Sequence, residues 1–183
     1  MADRFEDFCR DCRAALQTQD LPAVLETIRD RLQDLLQDPA IVARHCGAET
    51  EPGIRTLYRD PETGMNLLVH VYAEGKESPP HDHGRSWAVY GQAVGHTVMT
   101  VWRRTDDGAT PGKAAVEPIE SYRLDPGMAG YFPPGAIHSI RFPAGACFLR
   151  VTGTDLKTIP TRRFDPKQGT VLEDKGVSGV VRK

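Results

Sequence analysis

No stretch of this sequence stays apolar for the roughly 20 residues that a bilayer crossing needs. The opening segment, MADRFEDFCRDCR, is too charged to hold the apolar centre of a signal peptide. These absences lead to the expectation of a cytoplasmic protein with no membrane partner. Cysteine is scarce, 4 in 183 residues, too few for a disulfide scaffold, and in a reducing compartment all are expected to stay thiols. Neither sign of charge is in excess, with 23 Lys and Arg against 25 Asp and Glu. There is no basic surplus to neutralise phosphates, so nucleic-acid binding is not expected. Internal repeats and low-complexity tracts are absent too. What is there, 39% hydrophobic and 26% charged residues, describes one globular domain with a small extension.

The chain has two textures. Over residues 2–37, Phe5, Phe8, Cys9, Cys12 and Leu16 recur at helical spacing, as do Val24, Leu25, Ile28, Leu32, Leu35 and Leu36. Asp20 is placed to cap the second helix, with Pro22 tolerated in its first turn. The pattern predicts a helical hairpin with an apolar stripe. From about residue 54, short runs rich in Val, Ile, Thr, Tyr and Trp alternate with Gly, Pro and Asp clusters. Strands are expected near 54–58, 66–73, 86–94, 96–103, 115–123, 129–132, 137–142, 146–152 and 157–163, which suggests a β-sandwich or small barrel. The expected organisation is a helical segment over 1–45 packed on the barrel, a β core over 46–165 carrying the site, and an extended tail over 166–183.

Chemistry concentrates in two segments. In GKESPPHDHGRSWAVYGQAVG, His81 and His83 are separated by one residue, so on a strand both imidazoles point to one side. In GMAGYFPPGAIH, His138 follows a Pro-Gly turn. Three neutral imidazoles with open coordination positions suit Fe(II), Zn, Ni, Mn or Cu. Two histidines at a turn or on the surface are the other reading of an isolated His-x-His.

The surrounding spacing extends the pattern. Gly75, His81 and His83 form G-x5-H-x-H, with Gly95 closing that motif, and Gly127, Pro133, Gly135 and His138 form G-x5-P-x-G-x2-H. Together they resemble the two motifs of the cupin superfamily. The resemblance implies an all-β core, a jelly-roll (double-stranded β-helix) barrel with an N-terminal helical segment and a central metal site. The position of the usual glutamate ligand is Ala88, and the closing asparagine position is Phe142. A set of three histidines without a carboxylate resembles the thiol dioxygenase branch, which includes cysteine dioxygenase and 3-mercaptopropionate dioxygenase. Asn66-Leu67 stands fifteen residues before His81, as in that branch. Counted back without a gap, Arg55 falls on the arginine that holds the substrate carboxylate. The Ser-x-His-x-Tyr triad of the branch is missing, for Phe148, Arg150 and Thr152 occupy its positions. The resemblance covers about residues 5–165. It implies a mononuclear Fe(II) enzyme, with Zn, Ni or Mn as other ions, using O2 to oxidise a small carboxylated thiol to a sulfinate, as a monomer or homodimer. The alternatives are a metal-binding cupin with another reaction, such as a non-thiol dioxygenase or isomerase, and a non-catalytic small-molecule binder.

Alternation ranks the remaining residues. Leu68, His70 and Tyr72 share one face, which the resemblance puts inside the barrel. His70 is then either a polar group near the metal or a core histidine, and Tyr72 either supplies a phenol to the substrate or packs. Tyr90 is a further inward candidate, and Trp87 either packs or walls the site. Arg150 lies in an apolar strand. If it enters the barrel it needs a substrate carboxylate or an internal acid such as Asp82; otherwise it sits at a solvated rim. Asp82 orients a ligand, pairs with a neighbouring base or serves as a turn carboxylate. The Cys9-x-x-Cys12 pair reads as helix core. His45-Cys46 reads as a loop pair, His96 as solvent-facing, Trp102 as packing, and Thr161-Arg162-Arg163 as a solvated patch.

Overall fold

Three aspartates start three helices. In the computed structural model, which describes residues 3–175, the carboxylates of Asp3, Asp20 and Asp38 accept the backbone N–H of Phe5, Ala23 and Ala40. They open α1 (Arg4–Thr18), α2 (Leu21–Leu36) and α3 (Pro39–Cys46). Prolines 22 and 39 stand in first turns, where a missing N–H costs nothing. The apolar stripes of α1 and α2 are buried against a sheet, joining Met65, Leu67, Val69, Val89, Leu149 and Val151 in one core. Gly91 permits the close seating of α2. A Cβ there would meet the side chains of Leu36 and Leu32 at 2.6 and 2.7 Å.

The sheet under the helices has the order β1-β2-β9-β4-β7, built from β1 (Gly53–Arg59), β2 (Asn66–Val71), β9 (Cys147–Thr152), β4 (Ala88–Val94) and β7 (Ala129–Phe132). A second sheet, β3-β8-β5-β6, comprises β3 (Lys76–Glu77), β8 (Ile137–Phe142), β5 (Thr97–Arg104) and β6 (Val116–Leu124). All neighbours run antiparallel. Ala88, Tyr90, Met99, Phe132, Ile140, Phe142 and Phe148 fill the space between the sheets. On β9 and β4, alternate residues therefore serve the helix-side core and the interior. This is the jelly-roll barrel with helices on one side that the histidine motifs implied. Among the described residues, no helix is long and apolar enough to cross a membrane.

Four local expectations are corrected. Residues 39–46 are helical, so His45 and Cys46 end α3 rather than standing in a loop. Cys46 forms a disulfide with Cys147, the first residue of β9, with a Cα–Cα separation of 5.8 Å. The expectation of four thiols thus fails for this pair, because a contact across 101 residues leaves no mark on local sequence. Residues 166–175 are not an extended tail: after a turn, β11 (Thr170–Lys175) pairs with β10 (Pro160–Asp165). The rest of the expected tail, 176–183, lies outside the described residues. Finally, 156–158 form a short 3-10 turn rather than the start of a strand. Cys9 and Cys12 are buried thiols in the helix core, and burial pushes the Cys9 thiol up to about 12.

The disulfide closes a loop of about a hundred residues between α3 and the central strand. Cys147→Ser, or reduction of the pair, is expected to lower unfolding free energy by about 2–4 kcal/mol. Urea unfolding with and without reductant measures this, and an identical midpoint would show that the pair is not formed in solution.

Candidate metal centre

The two histidine segments meet through their backbones. His81 N–H donates to the His138 carbonyl at 2.9 Å, and His138 N–H donates to the His81 carbonyl at 2.9 Å. The two residues thus form a hydrogen-bonded antiparallel pair, each donating to the other. His83 follows two residues later on the same side. The chain then turns at Gly84, whose φ is +56° and whose Cβ would stand 2.1 Å from the Pro160 carbonyl oxygen. The Gly84 carbonyl accepts from Gly135 N–H at 2.9 Å, tying this turn to the Pro-Gly turn before His138.

The three imidazoles are buried. Their ring centroids lie 4.5 Å apart for His81 and His138, 4.8 Å for His83 and His138, and 5.4 Å for His81 and His83. One nitrogen from each falls within 4.8 Å of the other two. His81 Nδ1–H donates to the Pro79 carbonyl at 2.9 Å and His138 Nδ1–H to Ala136 at 3.3 Å. These bonds fix the tautomers and leave Nε2 of both rings free to bind an ion. The Tyr90 hydroxyl stands 3.3 Å from His83 Nε2 and 3.4 Å from His138 Nε2, which marks where the donors converge. Phe132 stacks on His138 at 3.9 Å and holds the ring in place. Burial lowers the pKa of His81 to about 4 and takes His83 and His138 well below the usual histidine range. At neutral pH all three are therefore uncharged donors. Three neutral nitrogens, oriented by carbonyls and with no carboxylate among them, fit one divalent transition-metal ion.

Asp82 points away from the histidines. Its carboxylate accepts from Gly84 N–H at 3.0 Å and from Arg162 N–H at 2.9 Å, and it pairs with Arg162 Nε at 2.7 Å. Asp82 N–H donates to the Arg162 carbonyl, and Phe164 N–H donates to Pro80. Strand β10 is thus fastened along the His-x-His segment. The reading of Thr161-Arg162-Arg163 as a solvated patch is corrected: Thr161 is buried, Arg162 holds Asp82, and Arg163 pairs with Asp174. Sequence reasoning missed Arg162 because its partner lies eighty positions away.

The other candidates separate by strand face. Arg150 is 4% exposed and alternates with Phe148 on the interior face of β9. Neither the Asp82 pairing nor the solvated rim survives, since Asp82 is taken by Arg162 and Arg150 is buried. Among the described residues no ion pair includes Arg150; its guanidinium hydrogen-bonds the Tyr90 hydroxyl, and its Nε has no hydrogen-bond partner. His70 is buried in the interior, stacked on Phe148 at 4.7 Å, with Nδ1 3.2 Å from the Tyr72 hydroxyl. Tyr72 packs on Phe142 and Phe148. Tyr90 faces the three imidazoles.

Two candidates leave the site. Arg55 pairs across β1–β2 with Val69, which belongs to the helix-side core. It therefore stands on the outer face, donating to the Glu51 carbonyl at 2.8 Å. Counting back without a gap kept the sequence distance but not the strand parity. Trp87 also packs in the helix-side core, so it does not wall the interior. Trp102 packs beside Ile137 and donates its indole N–H to Ser139 at 2.9 Å.

No family model matches the chain, and no curated protein does. Among solved structures it is similar to the Schizosaccharomyces pombe Cnp3 cupin domain, at 16% identity over 56% of this chain and 64% of that one, with a TM-score of 0.40. It is similar to KdgF from Halomonas sp., at 19% identity over 57% and 82% with a TM-score of 0.41. It is also similar to an oxalate oxidase in complex with glycolate, at 20% identity over 57% and 51% with a TM-score of 0.38. The match spans less than two thirds of the Cnp3 chain. These likenesses carry no functional conclusion. The molecule's own geometry defines it as a jelly-roll barrel protein with a three-histidine cluster able to bind one metal ion.

Two outcomes follow for metal binding. Proton competition is expected to begin at lower pH than for an ordinary histidine site, with affinity holding on acidification until pH approaches about 4, where His81 protonates. Loss of metal already near pH 6.5 would contradict the buried neutral imidazoles. Arg162→Ala is expected to weaken Zn(II) or Co(II) binding by about tenfold, because it frees the segment that carries His81 and His83. Competition with a chromophoric chelator reads both.

Proposed function

We propose that this chain is a mononuclear metal-dependent enzyme of thiol dioxygenase type, with Fe(II) as its native ion. It oxidises a small carboxylated thiol, of the cysteine or 3-mercaptopropionate kind, to a sulfinate. The observation that carries the reading is a buried guanidinium without a counter-ion, Arg150, in the same interior as three neutral imidazoles. An uncharged ligand set leaves a bound ion its full double charge, which favours an anionic thiolate as a further ligand. A guanidinium in a dry interior calls for an anion, and a carboxylate matches it bidentately. One ligand with a thiol at one end and a carboxylate at the other meets both demands.

The ion, when bound, supplies the redox chemistry between thiolate and O2. Both oxygen atoms end on sulfur, so four electrons leave sulfur and four enter O2, and no separate reductant is needed. The residues of the chain do the rest. Arg150 fixes the carboxylate and so sets which way the sulfur points. The Tyr90 hydroxyl, beside His83 and His138, donates a hydrogen bond at the reacting end. Burial raises the pKa of this phenol, so it keeps its proton. Phe132, Ile140, Phe142 and Phe148 exclude water. The missing Ser-x-His-x-Tyr triad has a partial counterpart in His70 and Tyr72, which lie 3.2 Å apart on the neighbouring strand.

The test is O2 consumption by the Fe(II)-loaded protein with cysteine, 3-mercaptopropionate and cysteamine. The expected result is one O2 per sulfinate formed from a carboxylated thiol, with cysteamine the poorest of the three. Arg150→Met is expected to lower kcat/KM by about 10- to 100-fold, the worth of a charge-assisted hydrogen bond. Absence of turnover with every thiol would refute the reading. Zinc, nickel or manganese in protein purified without added metal would favour a different reaction on the same site.

A further inference from the structure

Two unsatisfied nitrogens face the barrel interior. Nε2 of His70 and Nε of Arg150 are both buried without a hydrogen-bond partner. Nε of Arg163 shares that condition, but its guanidinium already pairs with Asp174. His70 and Arg150 stand on adjacent strands. His70 pairs with Phe148 and Leu68 with Arg150 across β2–β9, so the two residues are diagonal neighbours on one face. They are 1% and 4% exposed. The imidazole is clamped by stacking on Phe148. Nδ1 stands 3.2 Å from the Tyr72 hydroxyl; where that hydroxyl donates, the neutral ring carries its proton on Nε2, which is then a donor without an acceptor.

Buried donors of this kind are costly and uncommon. The Arg150 guanidinium hydrogen-bonds the Tyr90 hydroxyl, but among the described residues no carboxylate is left to meet either nitrogen. Among the described residues, the buried carboxylates are Asp60 and Asp82, and these are held by Arg13 and Arg162.

We propose that His70 Nε2–H and the Arg150 guanidinium form a single carboxylate-binding subsite next to the three histidines, one ligand oxygen on each. The proposal rests on the reading of a carboxylated ligand and adds the second donor. Tyr72 is a positioning residue, since its hydroxyl selects the tautomer that makes His70 a donor. The subsite offers no counter-ion to a ligand ammonium group, so it selects for net negative ligands.

Binding to the Zn(II)-loaded full chain tests this without turnover. Calorimetry compares 3-mercaptopropionate with ethanethiol, which lacks the carboxylate. The wild type is expected to prefer 3-mercaptopropionate by about tenfold or more, and His70→Leu and Arg150→Met each to remove about tenfold of that preference. Ethanethiol affinity stays unchanged. His70→Gln, whose amide nitrogen can take the place of Nε2, restores most of the preference, which a packing role would not. Nitrogen-15 NMR is expected to show His70 protonated on Nε2, with that signal moving on addition of 3-mercaptopropionate and not of ethanethiol. No carboxylate preference in the wild type, or an unchanged preference in folded, zinc-bound His70→Leu, would overturn the subsite. Carboxylate-selective binding without oxidation by the iron form would instead remove the proposed reaction and leave the subsite standing.

Discussion

The reciprocal backbone hydrogen bonds between His81 and His138 are the constraint on which the centre depends. They join a segment entering β4 to the first residues of β8, strands that belong to different sheets. A side-chain contact at this place would leave both rings free to rotate. A closed backbone pair fixes the two Cα atoms about 5.5 Å apart and sends both side chains to one face. His83 then falls on that face by alternation. The carbonyls of Pro79 and Ala136, each two residues before a histidine of the trio, fix the tautomers of His81 and His138. The site is therefore built by backbone first, and the imidazoles inherit their directions.

That arrangement needs support from outside, because a segment with Pro79, Pro80 and Gly84 makes few regular hydrogen bonds of its own. Strand β10 supplies it. Asp82 lies between His81 and His83 and faces the opposite way, where it accepts from both the backbone and the guanidinium of Arg162. Its fully buried carboxylate would be costly alone. Paired, it becomes the fastening that holds the His-x-His segment against the β10–β11 hairpin. Ligands inward and carboxylate outward are consequences of the same two-residue alternation.

Legibility in the sequence followed the range of the interactions. The apolar stripe of α1 and α2, the Asp20 cap, and most strands are set by neighbours within four residues, and they were readable. The histidine trio was readable because Gly75, Gly95, Gly127, Pro133 and Gly135 set a spacing around it that resembles two known motifs. Alternation put His70 and Tyr72 on one face, which the resemblance turned inward, and Arg150 with Phe148 on another, whose direction the sequence left open. Failures occurred where partners are distant or parity was assumed. Arg55 was placed by counting through the loop before β2, and the β1–β2 register turned it to the helix side. Trp87 was left between packing and walling the site, and it packs in the helix-side core. Cys46 and Cys147, Arg162 and Asp82, and the β10–β11 pairing join residues whose local sequence carries no trace of the partner.

Strand β9 shows why these features are not independent. It is the middle strand of its sheet, between β2 and β4. Cys147, Leu149 and Val151 face the helices, while Phe148 and Arg150 face the interior. A slip of one residue would exchange the faces, driving Arg150 into the helix-side core and Leu149 toward the histidines. Hydrophobic burial alone guards this register weakly, because the strand is apolar on both sides. The disulfide from Cys147 to Cys46 adds a covalent stop at the first residue of the strand. Alternation then carries that stop three residues along to Arg150. The bond lies on the helix side, away from the imidazoles, yet it constrains which side chain can stand beside them.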